Sequence, residues 1–121
     1  MLLTLLKAKL HGATVTEAQL DYEGSLTIDR TLMDRVGILP WEKILVANLR
    51  NGNRFETYAI PGPAGSGTIC LNGATAHLGN KGDKVIIFTF CQLSADQARK
   101  HHPLVMRLDP RNRPEKPPAR I

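Results

Sequence analysis

The chain has 121 residues, of which 42% are hydrophobic and 5% aromatic, and its formal net charge is +5. This length predicts one domain with one hydrophobic core. So few aromatic residues argue against a stacking platform for single-stranded nucleic acid. The apolar runs are too short to span a membrane, and the N-terminus lacks the basic region of a signal peptide. We therefore expect a cytoplasmic protein without a membrane partner.

Most of the positive charge lies in the C-terminal tail. From residue 107 onward five basic residues face only two acidic ones, so the rest of the chain is nearly neutral. Because the rest of the chain has no stripe of basic residues, we expect no nucleic-acid partner. The tail also contains four prolines, which predicts a disordered Pro/Arg-rich extension over residues 110–121 beyond a domain formed by residues 1–109.

The first half of the chain predicts short strands and one short helix. Lys7, Lys9 and His11 alternate with apolar residues, which indicates a strand over residues 2–11 with these side chains on one face. Further strands are predicted over residues 14–19 and 25–28. Asp29 then has the character of a helix N-cap, with a helix over residues 30–36 that ends at Gly37.

The second half predicts more strands separated by turns. Asn51-Gly52 is typical of a hairpin turn between strands at residues 43–49 and 54–60. After a Pro- and Gly-rich loop, the pattern predicts strands and short helices at residues 68–71, 72–77, 84–93, 94–100 and 104–108. Many short strands without a long helix indicate a small β-barrel.

Two common motifs are excluded by their spacing. Cys70 and Cys91 have neither metal-ligand spacing nor a Cys-x-x-Cys pattern, so we expect two reduced thiols and no metal site. Gly62 and Gly67 have the spacing of a phosphate-binding loop, but Thr68-Ile69 follows where Lys-Ser/Thr is required.

The dipeptide Gly24-Ser25 is the most informative feature. It lies where an extended segment enters a strand, and glycine lets a nucleophile approach its carbonyl carbon closely. The Ser25 hydroxyl could therefore attack the preceding peptide bond, and elimination and hydrolysis would leave a pyruvoyl group at residue 25. Gly-Ser is also a common turn, and Gly65-Ser66 is a second example without proposed chemistry.

Other side chains supply groups suited to such a site. Arg54 and Lys9 are cations that can bind carboxylates, and Tyr58 can donate a proton. Thr57 can donate a hydroxyl hydrogen bond, and Asn72 precedes a glycine beside exposed backbone N–H groups. Each of these residues, taken singly, has an ordinary structural explanation, and no spacing rule brings them together.

Four ordered blocks of the sequence closely resemble the pyruvoyl-dependent aspartate 1-decarboxylase family. The blocks are Lys9-Leu10-His11, Tyr22-Glu23-Gly24-Ser25, Asn51–Tyr58 and Asn72–His77, within a similarity that covers roughly residues 1–109. The resemblance implies a mainly β fold, a six-stranded double-psi β-barrel with short helices, and a homotetramer. It also implies a zymogen that cleaves itself into a 1–24 β chain and a 25–121 α chain.

The same resemblance implies the reaction and the cofactor. The family is a lyase that converts L-aspartate to β-alanine and CO2 through a Schiff base with its own pyruvoyl group, without pyridoxal phosphate or a metal. The product supplies pantothenate and coenzyme A biosynthesis.

Residue roles follow from the matching positions. Ser25 is expected to become the pyruvoyl group, Gly24 and Thr57 to take part in processing, and Tyr58 to donate a proton. The expected substrate contacts are Lys9, Arg54, Thr57, Asn72, Gly73, Ala74 and Thr75, with His11 and Tyr22 close to the cleavage site. The chain departs from many relatives at Ala47 and Thr75. Two alternatives remain, an uncleaved small-barrel binding protein and a serine hydrolase, although the latter lacks a Gly-x-Ser-x-Gly elbow.

Overall fold

The computed structural model describes residues 1–121 as a mainly β protein with two short α-helices. The strands are β1 (Leu2–Thr14), β2 (Glu17–Gln19), β3 (Ser25–Asp29), β4 (Lys43–Asn48), β5 (Arg54–Gly62), β6 (Ile69–Asn72), β7 (Lys84–Ser94), β8 (Leu104–Arg107) and β9 (Ala119–Arg120). The helices are α1 (Arg30–Val36) and α2 (Ala95–Arg99), and Gly73–His77 form a 3₁₀ turn. Neither α-helix has the length and apolarity needed to cross a membrane.

The nine strands form one sheet in the order β2-β6-β3-β5-β4-β7-β1-β8-β9. The sheet curves around a single core of 19 buried residues, to which nearly every strand contributes. The backbone N–H of Thr16, just after β1, donates to Ile69 O on β6, so strands from opposite halves of the sheet meet. The mainly β class is confirmed and the curvature is compatible with a small barrel. The structure assigns nine strands instead of six because β2, β8 and β9 add short pairings.

Local sequence accounts for the segment that carries Ser25 into α1. Alternation along β3 sends Leu26 and Ile28 into the core, and both are fully buried. The Asp29 side chain then accepts a hydrogen bond from Thr31 N at 2.8 Å, as an N-cap does. Gly37 ends α1 in the left-handed conformation. The predicted cap, helix and stop are all confirmed.

The C-terminal tail packs on the barrel, which corrects the expectation of a disordered extension over residues 110–121. Asn112 is 1% exposed, and its side chain bonds to both backbone groups of Thr14 and to Gly67 O at 2.7–2.8 Å. Residues Ala119–Arg120 pair with β8 as β9. Composition suggested disorder, but the polar side chain of Asn112 satisfies buried backbone groups that would otherwise lack partners.

The loop before β6 is fixed to the end of β3 by a buried carboxylate. Besides capping α1, Asp29 accepts hydrogen bonds from Gly65 N at 2.9 Å and Gly67 N at 2.8 Å. Asp29 N in turn donates to Thr68 O. One 1% exposed side chain therefore joins β3, α1 and the Pro63–Gly67 loop.

A second buried carboxylate fixes the loop between β4 and β5. Asp83 is 5% exposed and accepts hydrogen bonds from Asn48 Nδ2 at 2.9 Å, Arg50 Nε at 2.6 Å and Asn80 N at 2.8 Å. Burial by itself raises the pKa of Asp83, but these hydrogen bonds and the Arg50 charge outweigh it and lower the pKa to about 2.

We expect Asp29→Asn to reduce the free energy of unfolding by about 1–3 kcal/mol, because an amide cannot accept from all three N–H groups. Urea denaturation at fixed protein concentration measures this. Asp34→Asn is the matched control: Asp34 is exposed on α1 and forms only a surface pair with Arg30, so its effect should stay below about 1 kcal/mol. Equal effects of the two substitutions would contradict this role for Asp29.

Asp83 should make stability depend on pH in a defined range. Its pKa is lower in the folded chain than the ordinary value of 3.8, so its contribution is present above about pH 4 and is lost as the pH falls toward 2. The stability difference between the parent and Asp83→Asn should therefore shrink between pH 5 and pH 2. Denaturant midpoints across this range measure it, and a constant difference would show that Asp83 does not titrate there.

Candidate active site

Ser25 lies in a largely buried block of four polar side chains on the outer face of β3 and β6, of which Thr27 is half-buried. The antiparallel register places Ser25 opposite Asn72 and Thr27 opposite Cys70. The alternate residues of both strands, Leu26, Ile28, Ile69 and Leu71, are fully buried in the core. The four polar side chains therefore point away from the core, yet Ser25 is 0%, Asn72 2% and Cys70 5% exposed.

Asn72 is the centre of this block. Its Nδ2 donates to Ser25 Oγ at 3.0 Å and to Thr27 Oγ1 at 2.8 Å. Its Oδ1 accepts from the Cys70 thiol at 3.2 Å. Ser25 Oγ also lies 3.5 Å from Glu23 O, on the other side of the Gly24 peptide. The Ser25 hydroxyl oxygen is thus held by one amide, immediately after the exposed Gly24.

The 3₁₀ turn closes over the peptide that precedes Ser25. Gly73 has φ +61°, and a Cβ added there would lie 2.6 Å from Tyr22 O, 2.7 Å from Gly24 N and 2.8 Å from Gly24 Cα. Only glycine allows this approach. Thr75, in the same turn, lies with its hydroxyl 3.2 Å from Ser25 O and 2.8 Å from Asn72 O, to which it can donate. Thr75 is buried and contacts backbone, whereas Ala74 is exposed.

Tyr58 is the member of β5 on the same face as Ser25. The parallel pairing of Leu26 with Ala59 places the preceding residues, Ser25 and Tyr58, side by side. Tyr58 is half-buried, and its ring lies 6.1 Å from that of Trp41. Thr57 shares the opposite face of β5 with Ala59, and no hydrogen bond joins its hydroxyl to Gly24 or Ser25.

The two predicted carboxylate-binding cations meet at a separate place. Lys9 Nζ and Arg54 Cζ each lie 5.7 Å from the centre of the Phe88 ring. Lys9 is opposite Phe88 in the β1–β7 pairing, which explains this position. We call Lys9, Arg54 and Phe88 the cation cluster. Neither cation has a carboxylate partner in the structure, so both are free to bind one.

The cation cluster and Ser25 are far apart within one chain. Three strand spacings separate β3 from β7, or about 14 Å along the curved sheet. Arg54 extends from β5 toward β7, away from β3. The structure therefore brings Ser25, Asn72, Gly73 and Thr75 together beside Tyr58, but it does not bring them to Lys9 and Arg54.

The remaining predicted residues lie at the periphery. Tyr22 is 63% exposed just before Gly24. His11 is half-buried and its Nδ1 has no hydrogen-bond partner. Burial, followed by the charges of Arg107 and Lys9, lowers the pKa of His11. No group of three or more His, Cys, Asp or Glu side chains is placed to hold a metal ion.

Sequence reasoning missed two members of the block, Cys70 and Thr27. Both occur two residues from a predicted site residue on the same strand, a spacing that puts their side chains on one face. This signal becomes useful only when the pairing of β3 with β6 is known.

Comparison with known proteins identifies the family of the chain. The family model "Aspartate decarboxylase" matches residues 1–115. An aspartate 1-decarboxylase of Leptospira biflexa is 56% identical over 117 residues, covering 96% of this chain and 99% of the relative. An aspartate 1-decarboxylase of Clostridium botulinum (strain Loch Maree) is 53% identical over 116 residues, covering 96% and 91%. One of Salinibacter ruber is 53% identical over 110 residues, covering 91% and 75%. The chain belongs to the aspartate decarboxylase family.

Proposed function

We propose that this chain cleaves itself between Gly24 and Ser25 and then decarboxylates L-aspartate to β-alanine and CO2. The observation that carries the proposal is the fully buried Ser25 hydroxyl, held by Asn72 Nδ2 at 3.0 Å directly after an exposed glycine. The relatives named aspartate 1-decarboxylase support the substrate and reaction. Loss of the carboxylate next to the amine of aspartate gives β-alanine, which we propose supplies pantothenate synthesis in the cytoplasm.

Self-cleavage begins with the groups around Ser25. Its Oγ attacks the Gly24 carbonyl carbon, the Gly24–Ser25 peptide bond breaks, and an ester forms. Elimination then releases the Gly24 carboxylate, and one water displaces ammonia to leave a ketone at residue 25. Asn72 donates to one lone pair of Oγ and leaves the other free for attack. The close approach of Gly73 limits movement of the Tyr22–Gly24 backbone during this step.

The residues around position 25 fit the pyruvoyl group that the family implies. Such a group would supply a ketone that condenses with the amine of the substrate, and an electron sink for the electrons released with CO2. Thr75 is placed to donate to the carbonyl oxygen of residue 25, where it can stabilise negative charge. Tyr58 lies beside residue 25 on the same face and is the proposed proton donor to the substrate carbon.

The proposed substrate clamp requires a second copy of the chain. Arg54 and Lys9 together match a substrate with two carboxylates, and the planar guanidinium can grip one of them with two hydrogen bonds. The charged groups of both residues lie over Phe88 of β7, three strand spacings from β3, the strand that begins with Ser25. We therefore propose that a homotetramer places the cation cluster of one protomer beside residue 25 of another.

Two expected roles have weaker geometric support. Thr57 assistance in cleavage stays a prediction, because its side chain is on the face of β5 opposite Tyr58. Tyr22 borders the proposed cut through its backbone oxygen, which lies against Gly73, but its ring is exposed; His11 lies on β1, and the roles of both residues stay predictions.

The cleavage is tested by intact mass. The purified chain should yield a fragment 1–24 and a fragment 25–121 that is lighter than simple hydrolysis allows by the mass of ammonia. Ser25→Ala should remain whole and inactive, because it lacks the nucleophile. Ser66→Ala is the matched control, since it changes the other Gly-Ser dipeptide, which lies in an exposed loop. A parent chain that stays whole after long incubation would contradict the proposal and favour an uncleaved barrel protein.

Substrate choice is tested at Arg54. We expect Arg54→Lys to cleave normally but to lose most of its kcat/KM for aspartate, about tenfold or more, because lysine cannot form the planar two-bond grip. Steady-state kinetics with aspartate, glutamate and alanine should show preference for aspartate in the parent. Arg50→Lys is the control, because Arg50 pairs with Asp83 outside the proposed site. A parent that accepts all three substrates equally would refute the two-cation clamp.

A further inference from the structure

We infer that Cys70 is a positioning residue for self-cleavage, because its thiol sets the orientation of the Asn72 amide that holds Ser25. This inference rests on the proposed cleavage between Gly24 and Ser25 and assigns a residue outside the sequence-predicted site. The hydrogen-bond chain runs from Cys70 Sγ to Asn72 Oδ1, and from Asn72 Nδ2 to Ser25 Oγ.

An asparagine amide has two orientations that differ by exchange of its oxygen and nitrogen. Only the orientation with Nδ2 toward β3 lets Asn72 donate to Ser25 Oγ at 3.0 Å and to Thr27 Oγ1 at 2.8 Å. In the reversed orientation Oδ1 would face both hydroxyls and would draw the Ser25 O–H toward itself. The choice of orientation therefore decides whether Asn72 acts on Ser25 as a donor or as an acceptor.

The side chain that lies next to Asn72 Oδ1 decides between these orientations. Cys70 Sγ lies 3.2 Å from Asn72 Oδ1, and its other contact, to Leu71 O, is much longer at 4.0 Å. A thiol donates to an amide oxygen better than it accepts from an amide nitrogen, so it favours Oδ1 on its own side. Both residues are nearly inaccessible to water, which leaves Oδ1 no alternative donor.

The environment keeps Cys70 in the donating form. Burial, followed by the charge of Glu17, raises the pKa of the thiol. Glu17 is opposite Cys70 in the β2–β6 pairing, so its carboxylate opposes formation of a thiolate. A thiolate could not donate to Asn72 Oδ1, so a protonated Cys70 preserves the arrangement around Ser25 across the neutral pH range.

The test compares cleavage rates of four substituted chains with the parent. Cys70→Ala and Cys70→Val remove the donor, Cys70→Ser keeps one, and Cys91→Ala changes the other free cysteine, which lies on β7. Each chain is made by cell-free synthesis, which gives a defined starting time. Appearance of fragment 1–24 is followed by mass spectrometry, and the thermal midpoint of each chain is measured in parallel.

We expect Cys70→Ala and Cys70→Val to cleave about 5- to 10-fold more slowly, since the buried Oδ1 loses its partner. Cys70→Ser and Cys91→Ala should cleave within about twofold of the parent. Valine fills more of the thiol's space than alanine, so the cleavage rate of Cys70→Val is compared with that of the parent if Cys70→Ala does not fold. The rescue by serine separates a hydrogen-bonding role from simple packing, which serine would not restore.

Four results would overturn the inference. Alanine and valine chains that cleave as fast as the parent would show that the thiol does not orient Asn72. A serine chain as slow as the alanine chain would assign the effect to packing, as would rates that simply follow the thermal midpoints. A parent chain that stays whole would overturn the proposed function and this inference together. If the parent cleaves normally, any of the three preceding outcomes would overturn the inference alone.

Discussion

The antiparallel pairing of β3 with β6 is the constraint on which the site depends. It places Ser25 opposite Asn72 and Thr27 opposite Cys70, and it turns the intervening Leu26, Ile28, Ile69 and Leu71 into the core. A shift of one residue would exchange the two faces and put Ser25 among apolar side chains. Burial of these apolar side chains therefore fixes the register, and the register fixes the position of the Ser25 hydroxyl. Asp29 fixes the far end of the same strand by holding the loop that leads into β6.

The site has two parts with different electrostatic character. Around Ser25 every partner is neutral, so the hydroxyl is held by dipoles without a nearby ion pair. The cation cluster instead presents two positive charges over one aromatic ring. Attraction to the face of Phe88 orients both cations without neutralising them. Their charge thus remains available for an anionic substrate, at a distance from the proposed cleavage site.

Local sequence patterns predicted the helices and strands better than they predicted which side chains lie together in the folded chain. The alternation in β3, the Asp29 cap and the Gly37 stop are local signals, and each appears in the structure. Arg54 belongs to β5, directly beside β3, yet its guanidinium lies over Phe88 of β7 and away from Ser25, a contact that no local pattern encodes. The C-terminal tail was wrongly predicted from its composition, because a proline-rich segment is typical of disorder. In the structure the buried side-chain amide of Asn112 bonds the tail to Thr14 and Gly67. The spacing of Cys70 predicted only a reduced thiol, because its link through Asn72 to Ser25 exists only once β6 has paired with β3.

The topology also supports the proposal that the chain is cut after residue 24 and keeps its fold. The segment before the cut contains β1, which pairs with β7 along nearly its whole length and with β8 on its other side. It also contains β2, which pairs with β6. The segment after the cut begins with β3, which is held by β5 and β6. Each new end therefore belongs to a strand with its own partners, and Ala8, Leu10 and Leu26 remain in one shared core. The proposed cleavage would free only the exposed Asp21–Gly24 turn, so the surroundings of Ser25 would persist around the pyruvoyl group proposed to form there.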